Sequence, residues 1–292
     1  SRNTLIKLFI MLFNCFLIWN NNCKFASTSI KDGMMRIVLI CFLFLASVKF
    51  GSAQSESSFQ AGEWLKFKLS YSGWVKAGNA TLHIKNATYN GLPVYHVVGK
   101  GETTGALKWF FKVKDRYESY FDKSTGVPYK FIRDIYEGGH VKNRIVEFDY
   151  NKNVANVNDL KRGTKKSVPI QDNIQDMISA YYYLRNHYDT NTIKKGDIVK
   201  LNMFFDDEIF GFKLKFLGRQ TIKTNFGKVK CLKFRPYVMA GRVFQEEESV
   251  TLWVSADKNK IPLKIQANLR VGSIRSDLIA FKGLKFPFEL QL

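Results

Sequence analysis

Acidic residues, cysteine and long apolar runs are all scarce in this 292-residue chain. Asp and Glu number 25 against 45 Lys and Arg, a formal charge of +20. Residues 1–53 hold six basic residues and one acid, which leaves 39 against 24, or +15, beyond them. The excess of base therefore belongs to the body of the chain, and it favours anionic partners. Cysteine occurs four times, at Cys15, Cys23, Cys41 and Cys231. If the first three lie in a removed leader, no internal disulfide and no paired-cysteine zinc site can form. A lone thiol in the strand-like Lys230-Cys231-Leu232 reads as a small buried hydrophobe. No apolar run approaches the roughly 20 residues of a comfortable membrane-spanning helix. Catalytic signatures are missing as well: there is no serine elbow, no phosphate-cradling glycine loop and no pair of metal-ligand histidines at helical spacing. No cofactor is expected.

Apolar segments do occur near the start. Met34-Met35-Arg36 opens an apolar run from Ile37 to Val48 that ends at Gly51-Ser52-Ala53. A basic start, a short apolar run and small residues before the cut make a secretory signal peptide, with cleavage expected after Ala53. The earlier run from Leu5 to Trp19 ends at Asn20-Asn21-Asn22. Residues 1–33 are read as an upstream extension, with an N-terminal membrane anchor as the rival. Export to the periplasm or the outer-membrane surface follows as an expectation.

From Trp64 to Tyr150 apolar and polar residues alternate with period two, the mark of strands with one buried face. The alternation from Lys108 to Asp122 predicts a strand with Trp109, Phe111, Val113, Tyr117 and Phe121 on its apolar side. Asn90-Gly91, Asp122 to Gly126 and Gly138-Gly139 read as hairpin turns. Asp172 with Gln175 suggests a capping-box start, and Ile174, Met177, Ile178, Tyr181 and Leu184 form one stripe of a helix ending near His187. Strands then resume, with Leu201, Met203 and Phe205 facing Phe210, Phe212, Leu214 and Phe216 across an acidic turn. The expected fold is all-β and mainly antiparallel. It is an open barrel or sandwich of about a dozen strands with one amphipathic helix packed on it. Residues 54–292 are expected to form a single domain of two halves, 62–160 and 196–282, joined by the helical segment 172–188. A short echo links the halves. A polar turn precedes Val127-Pro128-Tyr129-Lys130-Phe131 in one and Ile261-Pro262-Leu263-Lys264-Ile265 in the other.

Tyr71-Ser72-Gly73-Trp74-Val75-Lys76-Ala77-Gly78-Asn79-Ala80 resembles the opening motif of an exported bacterial family, the domain of unknown function numbered three-one-zero-eight. Val113 to Tyr117, Asp176 to Arg185, Ile261-Pro262-Leu263 and Leu269 to Ser273 resemble its later blocks, the helix block being the most specific. The resemblance spans Gly62 to Phe281 and implies an envelope location without an established activity. A looser architectural likeness is to periplasmic lipoprotein-carrier half-barrels.

Candidate sites are few. With Gly138-Gly139 as the turn, Tyr129 faces Phe148, Phe131 faces Val146 and Arg133 faces Arg144. Opposed arginines need an acid or a bound anion between them. Either a partner such as Asp115 or Glu137 sits there, or the register is slipped, or the pair holds a phosphate or carboxylate head while Tyr129 and Phe131 hold its apolar part. Asp115 interrupts the apolar side of its strand, so it bonds a neighbour or acts as an acid or base in a cavity. No second carboxylate is placed beside it. The Asn90-Gly91 turn puts His83 and His96 diagonally on one face with Thr81, Lys85 and Lys100, read as solvated rather than metal-binding. Lys108-Trp109-Phe110-Phe111-Lys112 interleaves base with aromatics, but export argues against nucleic acid. Glu246-Glu247-Glu248 reads as a solvated turn or edge.

The functional expectation is a non-catalytic envelope protein binding an amphipathic or anionic lipid or glycan through Arg133, Arg144, Asp115, Tyr129 and Phe131. Peripheral membrane contact is compatible with its charge. The alternatives are a polysaccharide hydrolase or lyase using Asp115 or a histidine, and a structural assembly factor with a flat apolar patch.

Overall fold

The computed structural model describes residues 56–73, 75–105, 107–237, 250–269 and 272–291. The leader segment, Trp74, the Glu246 to Glu248 run and Arg270-Val271 lie outside them.

Fourteen strands form one antiparallel sheet in the order β8-β7-β6-β5-β4-β3-β2-β1-β14-β13-β12-β11-β10-β9. The first meander comprises β1 (Trp64–Tyr71), β2 (Val75–Tyr89), β3 (Leu92–Thr103), β4 (Val113–Asp122), β5 (Pro128–Glu137), β6 (His140–Asp149), β7 (Val154–Asp159) and β8 (Thr164–Pro169). The second comprises β9 (Ile198–Phe205), β10 (Glu208–Thr224), β11 (Gly227–Pro236), β12 (Val250–Ser255), β13 (Pro262–Asn268) and β14 (Ser273–Lys282). Pairing of β1 with β14 joins the meanders, and β8 and β9 remain as edges, so the sheet is not closed into a barrel. The all-β, antiparallel, open-barrel expectation stands, with two more strands than a dozen.

Hairpin turns follow from their residues. Asn90-Gly91, Gly138-Gly139 and Asp206-Asp207 all adopt positive φ at both positions, the twist that matches flanking strands. Asp206-Asp207 sets Phe210 opposite Met203 and Phe212 opposite Leu201.

Two sequence expectations are corrected. The helix packed on the sheet is α2, Met177–Asn186, and its cap is Asp176, not Asp172. The Asp176 carboxylate accepts from the amides of Ile178 (2.7 Å) and Ser179 (2.8 Å), while Ser179 Oγ accepts from the Asp176 amide. Gln175 is unavailable as a capping partner because its backbone adds to the β9 edge, bonding Asn202 and Phe204. Secondly, Lys108 to Phe111 is not strand. Leu107–Phe110 makes one helical turn, α1, and β4 starts only at Val113. The chain has to reverse between Thr103 and Val113, whose amide is pinned by Thr103 Oγ1 at 2.9 Å. Leu107 and Phe111, four apart, pack inward, which leaves Trp109 pointing to solvent instead of into a buried face.

The main core gathers side chains from both meanders around α2, among them Phe121, Phe131 and Val146 with Phe204, Phe212 and Phe234. A buried ion pair anchors the helix end. Arg185 grips Glu63 through two bonds of 2.6 and 2.8 Å and also donates to the carbonyls of Ser58 and Asn259. Burial alone would lower the pKa of Arg185, but the Glu63 carboxylate outweighs it and holds the guanidinium charged. Asn259 in turn bonds Phe286 and Pro287, so this tie reaches the C-terminal segment.

The echo between halves has a structural counterpart. Each proline opens its strand opposite a register shift, Phe121 with Pro128 and Val254 with Pro262. Asp122 and Asp257 each accept amides two and three residues ahead.

Candidate functional site

The expected arginine pair forms as read. Arg133 lies opposite Arg144 and Phe131 opposite Val146. What balances the charge comes from the β9–β10 turn and from Asp159 at the end of β7. Arg133 Nη1 donates to Asp206 at 2.7 Å, Arg144 to Asp159 at 2.9 Å and to Asp207 at 3.1 Å, and Lys142 also reaches Asp206. Burial would raise the Asp206 carboxyl, yet Arg133 and Lys142 hold it below its ordinary range. The space between these groups is about 10 Å³, enough for roughly one water. Tyr129 sits apart from them, bonding Asp122 at 3.2 Å and stacking on Tyr89. Phe131 stacks on Tyr117 and lines the small space beside Arg133 and Arg144, while Asp115 and Tyr129 do not. The five residues read together from sequence therefore do not share one cavity.

Asp115 has the second carboxylate that sequence reading did not place. Glu137 lies diagonally from it across β4 and β5. Both are buried, 2% and 1% exposed. None of the four carboxyl oxygens accepts a well-formed bond from a donor group of the chain. Burial pushes Asp115 up to about 7 although Glu137 and the Tyr136 backbone pull it down, and burial followed by the Asp115 charge pushes Glu137 up to about 8. The result is a proton-sharing pair walled off from solvent.

His83 and His96 pair with Val98 and Lys85 as expected from the Asn90-Gly91 turn. His96 bonds Glu118 at 2.6 Å and stacks on Tyr120, so its ring already has a carboxylate. Among the described residues no group of three or more His, Cys, Asp or Glu could hold a metal.

A more open space lies elsewhere, between α2 and the inner face of the sheet. This cavity of about 210 Å³ is lined by Ile178, Ala180 and Leu184 from α2, Phe67 and Leu69 from β1, Leu82 from β2, Phe212 and Leu214 from β10, and Leu252 and Val254 from β12. Two charged side chains reach its wall, Arg185 and Lys260. Arg185 is consumed by Glu63. Lys260 follows the Asp257 turn at positive φ and donates to a neutral group, the Tyr188 carbonyl, at 2.7 Å. Its ammonium also lies over the Tyr188 ring. Burial brings its pKa down to about 8 despite the help of Asp189. Sequence reading missed this site because its lining comes from seven strands and a helix far apart in the chain. Lys260 shows no sequence signal beyond following a turn.

The model of the family described as Protein of unknown function (DUF3108) covers residues 66–279. The chain belongs to the DUF3108 family. A beta-barrel-like protein of domain of unknown function DUF1849 from Brucella abortus superposes on this DUF3108 chain with a TM-score of 0.51 at 9% identity, covering 77% of this chain and 99% of the other. Its likeness is one of fold. A protein with a YmcC-like fold from Bacteroides fragilis gives 0.30 at 11% identity over 78% and 100% of the two chains. A DUF1089 family protein from Pseudomonas aeruginosa gives 0.31 at 7% over 62% and 87%. No curated protein matches the DUF3108 chain by sequence.

Proposed function

We propose that this DUF3108 protein is exported and binds a single-chain amphipathic anion, its apolar part in the cavity beneath α2 and its acidic head at Lys260. The observation that carries the reading is an apolar cavity at which, among the described residues, Lys260 is the one cation without a carboxylate salt bridge. An apolar space larger than about 150 Å³ takes up small hydrocarbons in water, and few, well-placed polar groups then orient the ligand. At about 210 Å³, the cavity suits one short acyl chain or ring system rather than a whole diacyl lipid, and its lining suits hydrocarbon better than sugar. Export rests on the leader at residues 34–53. The polymer-cleaving alternative is less favoured, since Asp115 and Glu137 are too buried to meet a glycan.

Decanoate and the fluorescent anion anilinonaphthalene sulfonate are suitable probes. Saturable binding of the dye, displaced by decanoate but weakly by decanol, is expected. Lys260→Gln should weaken decanoate roughly tenfold, the usual scale of one charge-assisted bond, and leave decanol unchanged. Ala180→Phe should block both. Absence of saturable binding, or equal affinity for decanoate and decanol, overturns the reading.

A further inference from the structure

Independently of the cavity, we infer that α1 is a docking element for an anionic lipid surface. Trp109 is 90% exposed and Phe110 85%, the two most exposed large hydrophobic side chains among the described residues. They are not stray: Leu107 and Phe111 of the same turn pack inward. Phe111 also lies against Gly138, where a Cβ would collide with its ring, and the Gly138 amide bonds Lys112. The adjoining hairpin thus braces the turn that holds the pair outward, and Gly138 leaves room for that brace.

The surroundings select the partner. In the meander, the connections β3–β4, β5–β6 and β7–β8 emerge at one end of the sheet. That end carries Lys108 and Lys112 beside the aromatics, His140 after the glycines, and Lys161 and Arg162 with exposed Leu160 in the third turn. Most acids nearby are spent or sequestered: Asp159 and Asp207 on Arg144, Asp206 on Arg133 and Lys142, and Glu137 in the interior, while exposed Glu102 lies opposite Lys114. Lys112 lies over the Tyr136 ring and Lys161 donates to the Val141 carbonyl; exposed Trp and Phe amid lysines that hold no carboxylate match a membrane interface. There aromatic rings settle at headgroup level, and each cation gains from the negative surface potential. A neutral glycan would use the rings but has no call on the lysines.

The full-length chain would be sedimented with phosphatidylcholine vesicles with and without phosphatidylglycerol, and amide exchange followed over residues 107–112. Preferential binding to the anionic vesicles is expected, with protection at those amides and loss on adding salt. The double variant Trp109→Ala, Phe110→Ala should bind at least about tenfold more weakly, as two buried interfacial rings predict. Lys108→Glu with Lys112→Glu should abolish the preference for phosphatidylglycerol while leaving the circular dichroism spectrum intact. Protection at amides 107–112, read beside sedimentation, distinguishes docking through this turn from binding through the apolar segments in residues 1–55. Wild-type-like vesicle binding by the aromatic double variant overturns the inference. So does protection of 107–112 by peptidoglycan fragments but not by vesicles.

Discussion

A carboxyl group buried without a donor stays neutral unless something else supplies a charge, and Asp115 with Glu137 shows where that leads. Arg133 is near and pulls both down, but its Nη1 is committed to Asp206, so burial dominates at each carboxyl, joined at Glu137 by the charge of Asp115. Folded values of about 7 and about 8 lie above the unfolded ones near 4, so the folded protein retains protons that the unfolded chain releases. Stability is then highest below about pH 4 as far as this pair is concerned, declines as pH climbs, and levels off past about pH 8. Glu137→Gln removes one titration and gives Asp115 an amide donor. In denaturant melts the variant should lose most of that decline and exceed wild type at pH 9 by on the order of 2 kcal/mol. A steeper decline, or destabilisation at pH 9, would contradict the proton-sharing pair. The residue pattern hid this pair for a concrete reason. Glu137 reaches the face of Asp115 only because the register shifts between Tyr120 and Phe121. Without that bulge Glu137 would lie opposite Lys112, and its side chain would project from the other face.

Elements were legible wherever local chemistry decides them. Glycine-containing turns, strand alternation and the stripe of α2 all act over a few residues, so the hairpins and the Arg133–Arg144 register could be read directly. What resisted was set by neighbours distant in sequence. Gln175 looks like a capping residue until β9 claims its backbone, and the period-two pattern runs on through Trp109 although the chain is already turning. The two sheet edges illustrate the same contrast. The β9 edge is partly covered by the Gln175 bridge to Met203, a protection invisible in sequence. The β8 edge instead relies on its own residues, exposed Lys165 and Lys166 with Pro169 at its end. Charges on an open edge discourage pairing with another chain. Lys165→Val with Lys166→Val should leave the melting temperature nearly unchanged but make the protein oligomerise with rising concentration, followed by light scattering. A double variant that stays monomeric would show that something other than charge guards β8.

At the scale of the whole molecule, two meanders that each read as a half share one interior. The main core takes Phe121, Phe131 and Val146 from the first and Phe204, Phe212 and Phe234 from the second, with α2 between them. The Arg185 tie has the same character, joining α2 to Glu63 before β1 and Asn259 before β13. Cutting after Pro169 would leave one half without the aromatics of β9 to β11, and the other without its β1 partner along β14. Each piece would expose an apolar face and a long unpaired strand, conditions that favour aggregation over folding. Residues 57–169 and 170–291 expressed separately should therefore lack near-ultraviolet dichroism and bind hydrophobic dyes, whereas the intact chain should unfold in one transition seen alike by backbone and aromatic probes. A half that folds alone with dispersed amide resonances would mean that the shared core contributes little and that the repeated Asp-turn-proline units are independent domains. Because the β1–β14 seam pairs residues more than 200 positions apart, refolding of the intact chain is also expected to be slow, on the scale of milliseconds to seconds or longer. Slowness and cooperativity then have one cause: no part of the cavity wall is complete until both meanders have met.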